Sequence, residues 1–160
     1  MSDIVSLPYK SDYLSACLAI FDSNVPAFFA PEERLEFCEH LEGVNGTTAL
    51  YLVLMRDGIV LACGGLTTDE TRQKASLSWG MVDRKLHGQR LGTHLMQARL
   101  TLARSKPGLA ELVLSTSQHT HAFYERFGFT VSKITPRGFG PALDRCDMHL
   151  RLLEPDGGGQ

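Results

Sequence analysis

WGMVDRKLHGQRLGTHLMQARLTL, residues 79–102, changes its hydrophobic period halfway through. Trp79 and Met81 stand two apart, as residues on one side of a strand do. From Leu91 the apolar residues return at Leu95, Ala98 and Leu102, one stripe of a helix. Gly88 lies between the two patterns, and Gly92 lies just inside the second. The first turn of a helix carries backbone N–H groups without internal acceptors, and the helix dipole adds positive potential there. Phosphates are natural occupants of such a turn. Gly88 can take dihedrals that a side chain resists, and Gly92 leaves room for close approach. Arg90, with His87 or Lys85, adds side-chain donors or positive charge. The stretch therefore reads as strand, anion-binding turn and helix. No Gly-Lys-Ser/Thr closes the loop, and the three-glycine dinucleotide spacing is absent. The residues alone specify a phosphate site and leave its ligand open.

The neighbouring sequence supplies the frame. Ala49 to Met55 and Ile59 to Leu66 are apolar runs joined by Arg56-Asp57-Gly58, which fits a type I′ or related hairpin turn. Ala75 to Val82 adds a third strand with Leu77, Trp79 and Met81 on one side, and the three form an antiparallel meander. Upstream, Ile4 to Pro8 predict a strand and Lys10 to Phe21 a helix, whose inner face is Leu14, Cys17, Leu18 and Phe21. Asp22, Ser23 and Asn24 stop or cap it, and Pro26 marks a boundary. Pro31 opens a second helix with Leu35, Cys38 and Leu41 inward. Downstream, Pro107-Gly108 end the long helix, and Leu112 to Leu114 centre a strand. Thr120 to Phe127 predict a short helix stopped by Gly128. Phe129 to Ile134 and Cys146 to Leu152 predict closing strands, joined through PRGFGPALDR. The expectation is one mixed α/β domain over residues 1–152, with residues 153–160 as a loose tail.

Composition narrows the class. The 160 residues are 43% hydrophobic, enough for one substantial core. The net charge of -2 comes from interspersed signs, with no basic stripe for nucleic acid and no acidic block. No apolar run is long enough for a bilayer, and MSDIVSLPYK lacks the features of a secretory signal, so a cytoplasmic protein is expected. Cys17, Cys38, Cys63 and Cys146 are scattered without zinc or disulfide spacing, and no metal site is expected.

Two segments carry a family resemblance. His87-Gly88-Gln89-Arg90-Leu91-Gly92 resembles the acetyl-CoA signature Arg/Gln-x-x-Gly-x-Gly/Ala of the GNAT superfamily of N-acetyltransferases. His87 replaces the usual Arg or Gln, and Arg90 replaces the first glycine. Ala122-Phe123-Tyr124-Glu125-Arg126-Phe127-Gly128-Phe129 resembles the superfamily's late segment, a short helix with a tyrosine that ends in Gly-Phe. Ser117 stands seven residues before the tyrosine, where Asn is customary.

The resemblance implies an acyl-CoA N-acyltransferase fold, with a mixed, mostly antiparallel central sheet flanked by helices. Its fourth and fifth strands, here Ala75 to Val82 and Glu111 to Ser115, splay apart. The pantetheine arm pairs with the backbone near Met81 and Val82. The pyrophosphate meets N–H groups of Gly88, Gln89, Arg90, Leu91, Gly92 and Thr93. Ser117 is the coenzyme-side residue where Asn is customary, so that coenzyme hydrogen bond is changed or missing. The implied activity is transfer of an acetyl group from acetyl-CoA to a primary amine by direct attack, with Tyr124 as general acid. The acceptor is a small-molecule or peptide amine, with neither nucleic acid nor membrane involved, and homodimers are common in the superfamily.

The base is unassigned, because ASLSWGMV lacks the glutamate some members carry there. His119 and His121 are proton acceptors by type. Glu33 and Glu36 lie on the substrate side, and a water chain is a further route. Trp79 either packs in the core or lines the acceptor cleft, and Phe28 and Phe29 either anchor their loop or shape that cleft. A CoA-binding regulatory module without turnover is the alternative function.

Overall fold

Asp57 and Gly58 both have positive φ, 54° and 78°, as a type I′ turn requires. They join β2 (Ala49–Arg56) to β3 (Ile59–Asp69), with Arg56 opposite Ile59. β1 (Val5–Pro8) pairs antiparallel with β2. The computed structural model describes residues 3–69, 71 and 73–152; the expected tail, 153–160, lies outside them. The remaining strands are β4 (Lys74–Val82), β5 (Glu111–Thr116), β6 (Thr130–Gly140) and β7 (Leu143–Arg151). The sheet order is β1-β2-β3-β4-β5-β7-β6. β4 pairs β5 in parallel over three residues, Lys74–Ser76 with Glu111–Val113, whereas β5 with β7 and β6 with β7 are antiparallel. The sheet is thus mixed and mostly antiparallel, as expected.

Internal contacts divide the chain into two units. The first comprises residues up to Thr68 together with Leu77–Ser105; the second comprises Asp69–Ser76 and the chain from Lys106. In the first unit, α1 (Leu14–Ser23) and α2 (Glu33–Glu42) bring Cys17, Ile20, Phe21, Phe37 and Leu41 against Tyr51, Val53, Cys63 and Met81. α3 (Leu91–Arg104) brings Leu95 against Leu54 and Ala62. Val53 and Leu54 are sequence neighbours in β2, so they project to opposite faces, and helices cover both.

The inner face of α2 differs from the one predicted. Leu35 is 67% exposed, Cys38 is only partly covered, and Phe37 is fully buried with Leu41 one turn on. Phe37 stacks on Phe21 at 5.6 Å and meets Trp79 at 5.2 Å. A phenyl ring buries more apolar surface than a leucine, so the helix seats Phe37 and leaves Leu35 outside.

In the second unit, α4 (His121–Glu125) is shorter than predicted. Gly128, at φ 99°, turns the chain so that Phe129 is buried. PRGFGPALDR is not the connector expected: β6 runs to Gly140 and β7 begins at Leu143, leaving only Pro141-Ala142 as the turn. β6 is the edge strand, where the missing N–H of Pro136 costs no necessary ladder bond. Register breaks between Val131 and Lys133 and between Thr135 and Gly140 absorb the irregular residues. The Gln118 amide holds the hairpin, accepting from Asp144 N–H at 2.8 Å and donating to Ala142 O at 3.0 Å. Among the described residues no helix is long and apolar enough to cross a membrane.

Candidate active site

β4 does not keep simple alternation to its end. Trp79 has φ 45°, a left-handed conformation that costs a non-glycine residue about 1–3 kcal/mol. Two buried side chains hold the backbone there. The Tyr51 hydroxyl donates to Trp79 O at 2.6 Å, and Arg99 Nη2 donates to Ser78 O at 2.8 Å. Burial pushes the Tyr51 phenol well above its ordinary pKa, so it stays a donor. Arg99 is only 4% exposed, on the face of α3 that its neighbours Leu95 and Leu100 bury. A Cβ on Gly64 would come within 2.9 Å of its guanidinium, and one on Gly80 within 2.6 Å. Those glycines make room for the buried cation. The Trp79 ring is half-buried and packs against Phe37 and Phe29.

The strand end is then tied down. Val82 O accepts from Asn24 Nδ2 and His87 Nε2, both at 2.9 Å. A carbonyl has two lone pairs, so this one is fully engaged. The bond also fixes His87 as the Nε2–H tautomer or the cation, because only a donor can face a carbonyl. The His87 side chain therefore closes its own loop rather than projecting freely. Ser23 Oγ accepts from Arg84 N–H at 3.0 Å, and Asp83 N–H donates to Leu61 O at 3.0 Å. Asn24 is 2% exposed and also donates to Ile20 O. The sequence marked Ser23 and Asn24 only as helix-stop residues; their bonds to Arg84 and to Val82 at the end of β4 have no local signal.

Beyond a short 3₁₀ turn at Arg84–Leu86, Gly88 has φ 87° and Arg90 has φ 66°. Arg90 takes the left-handed conformation a glycine would adopt, and its side chain is exposed. Helical bonding starts with His94 N–H to Arg90 O at 3.2 Å. The N–H groups of Leu91, Gly92 and Thr93 lie ahead of that ladder and have no acceptor within the helix. Leu91 is 3% exposed and anchors the turn. Gln89 is exposed, and Met81 is buried on β4. Replacing Arg90 with glycine removes left-handed strain of about 1–2 kcal/mol against a smaller unfolded-state entropy cost. Arg90→Gly is expected to raise Tm by about 2 °C; a fall in differential scanning calorimetry would contradict this account of the turn.

The second unit carries the other predicted residues. Ser117 Oγ accepts from His119 N–H at 3.2 Å, and Ser117 O accepts from Thr120 and His121 N–H. The hydroxyls of Thr116 and Thr120 bond to each other across the same turn. Tyr124 is half-buried on α4, its ring edge-on to Phe123 at 5.1 Å and Phe129 at 6.0 Å. Among the described residues nothing bonds its hydroxyl. His121 Nδ1 lies 3.4 Å from Glu125.

Of the other base candidates, Glu33 Oε2 accepts from Ala30 N–H at 2.8 Å, and Glu36 is exposed. His40 escaped the sequence reading. It faces Tyr51 and Trp79, and burial lowers its pKa, favouring the neutral ring. Among the described residues no group of three or more His, Cys, Asp or Glu side chains is placed to hold a metal.

The sequence model of the acetyltransferase (GNAT) family matches residues 16–129, well over half the chain. The chain belongs to the GNAT family. The match takes in the Gly88–Thr93 turn and the Tyr124 segment. Solved structures share the GNAT fold. The ribosomal-protein-S18-alanine N-acetyltransferase from Escherichia coli superposes with TM-score 0.77 at 22% identity, covering 99% of this chain and 98% of its own. The yncA protein of Salmonella typhimurium with its cofactor acetyl-CoA gives TM-score 0.75 at 22% identity and 96% of both chains. An aminoglycoside 6′-N-acetyltransferase complexed with coenzyme A gives 0.78 at 12% identity, covering 95% and 99%. Such identities establish the fold and not the acceptor. A comparison with curated proteins gave no sequence match.

Proposed function

We propose that this GNAT protein transfers an acetyl group from acetyl-CoA to a primary amine of a small molecule or peptide in the cytoplasm, with residues 1–152 acting as one domain. The observation that carries the reading is the turn of Gly88 to Thr93. Positive φ at Gly88 and Arg90 leads into a helix start whose first N–H groups have no acceptor within the helix, a geometry suited to an anion. That donor set suits a pyrophosphate. Leu91, Gly92 and Thr93 bind it through N–H groups, and Gly88, Gln89 and Arg90 shape the approach. His87 keeps the loop closed on Val82. Met81 and Val82 present strand backbone to the pantetheine arm. Since Val82 O is already engaged, Val82 contributes no acceptor to that pairing. Ser117 contributes a hydroxyl where the family resemblance places a coenzyme hydrogen bond.

Acetyl-CoA supplies the acyl group. As the neutral amine attacks the thioester carbonyl, the C–S bond breaks and Tyr124 donates its phenolic proton to the departing sulfur, while the proton released by the amine nitrogen leaves through water and restores the phenol. Backbone N–H groups stabilise negative charge developing on the acyl oxygen. Binding is the decisive measurement. Acetyl-CoA is expected to raise Tm in a concentration-dependent way, by linkage of ligand to the folded state. CoA thiol should then appear when a panel of polyamines, amino acids, aminoglycosides and peptide N-termini is supplied. A folded protein whose Tm ignores acetyl-CoA would end this reading.

A further inference from the structure

The bonds around Trp79 bear on more than stability. Two successive carbonyls of β4 are claimed by buried side chains from different elements. Tyr51, from β2, takes Trp79 O at 2.6 Å. Arg99, from α3, takes Ser78 O at 2.8 Å. Tyr51 belongs to the cluster under α1 and α2, whereas Arg99 follows Leu95 by one turn on the helix that covers the other face. The strand is thus gripped from both faces where Trp79 enters its left-handed conformation. Each bond also polarises its peptide group. The hydroxyl on Trp79 O makes Gly80 N–H a stronger donor, and the guanidinium on Ser78 O does the same for Trp79 N–H. Gly80 leads directly into Met81 and Val82.

We propose that Tyr51 and Arg99 are positioning residues for acyl transfer: they fix the β4 backbone at Ser78-Trp79 so that the strand from Gly80 to Val82 holds the acyl end of the coenzyme for attack. The proposal rests on the acetyl-transfer function. It assigns catalytic geometry to two buried side chains that act through the β4 backbone. It also divides labour within the first unit: the Gly88–Thr93 turn supplies coenzyme affinity, and the gripped strand supplies alignment.

Tyr51→Phe is the sharpest test, because it removes one oxygen from a buried ring and leaves the packing in place. Trp79 is the sole tryptophan of the chain, so its fluorescence reports the grip directly. Expected are a shifted Trp79 emission and kcat lower by about tenfold or more, since small misalignments cost rates of that order. The Kd for CoA should stay within about twofold. Arg99→Lys, which keeps a donor, should retain more turnover than Arg99→Met. An unchanged emission, an unchanged kcat, or a loss of CoA affinity in proportion to kcat would each overturn the proposal. Wild-type protein that releases no CoA would sink the acetyl-transfer reading itself. Wild-type turnover with an unaffected Tyr51→Phe would sink the positioning role alone.

Discussion

Tyr124→Phe lowers the turnover of acetyl transfer by about a hundredfold or more, the scale of losing a general acid, and leaves acetyl-CoA binding within about twofold. The packing makes this variant informative. The Tyr124 ring is held edge-on by Phe123 and Phe129, contacts that a phenylalanine keeps. No described residue bonds the hydroxyl, so its removal orphans no partner and should change Tm little. A lost rate with retained binding therefore reports on the proton. Single-turnover and steady-state measurements at saturating acetyl-CoA separate chemistry from product release. Wild-type turnover in the variant would remove Tyr124 from the acid role and leave the GNAT assignment standing.

Gly65→Ala is the most damaging single methyl group. Gly65 pairs with Tyr51 in the β2–β3 ladder. A Cβ there would lie 1.9 Å from Leu50 O and 2.7 Å from Tyr51 Cδ1. The first clash is with backbone inside a sheet, which cannot swing aside. Overpacking of this kind costs about 3 kcal/mol, or roughly 6–12 °C in Tm at this chain length. The second clash displaces Tyr51, the donor to Trp79 O, so residual folded protein should also lose turnover. Gly43→Ala is the control: its Cβ would meet only carbonyl oxygens at 3.6 and 3.7 Å, and its Tm should move by less than about 2 °C. Equal melting of the two variants would refute this steric account.

Features with a local signature were readable in the sequence. Asp57-Gly58 announced its turn because few residue pairs tolerate two positive φ angles. The stripe through Leu91 and Leu95 placed α3, and Gly128 marked the turn that follows α4. The turn before α3 was likewise legible, since Gly88 and a helix start are neighbours in the chain. What the sequence concealed depends on partners far along the chain. Arg99 interrupts an apolar face, and only Gly64 and Gly80 explain how a cation fits there. Phe37 displaced Leu35 from the inner face of α2 because Phe21 and Trp79 were waiting for a ring. Asn24 looked like a helix stop, yet its amide reaches Val82, 58 residues away. PRGFGPALDR looked like a connector because proline and glycine usually interrupt strands, a penalty that an edge position relaxes.

That edge has a consequence for how copies of the protein behave toward one another. A β-sheet ends in two rows of backbone groups able to recruit further strands. Here β1, at one margin, is only four residues long and finishes in Pro8. β6, at the other margin, carries Lys133, Pro136, Arg137 at φ 57° and two register breaks. Neither margin offers a long, flat ladder. The irregular sequence that hid the second half of β6, from Thr135 to Gly140, is the same feature that discourages strand-to-strand aggregation through it.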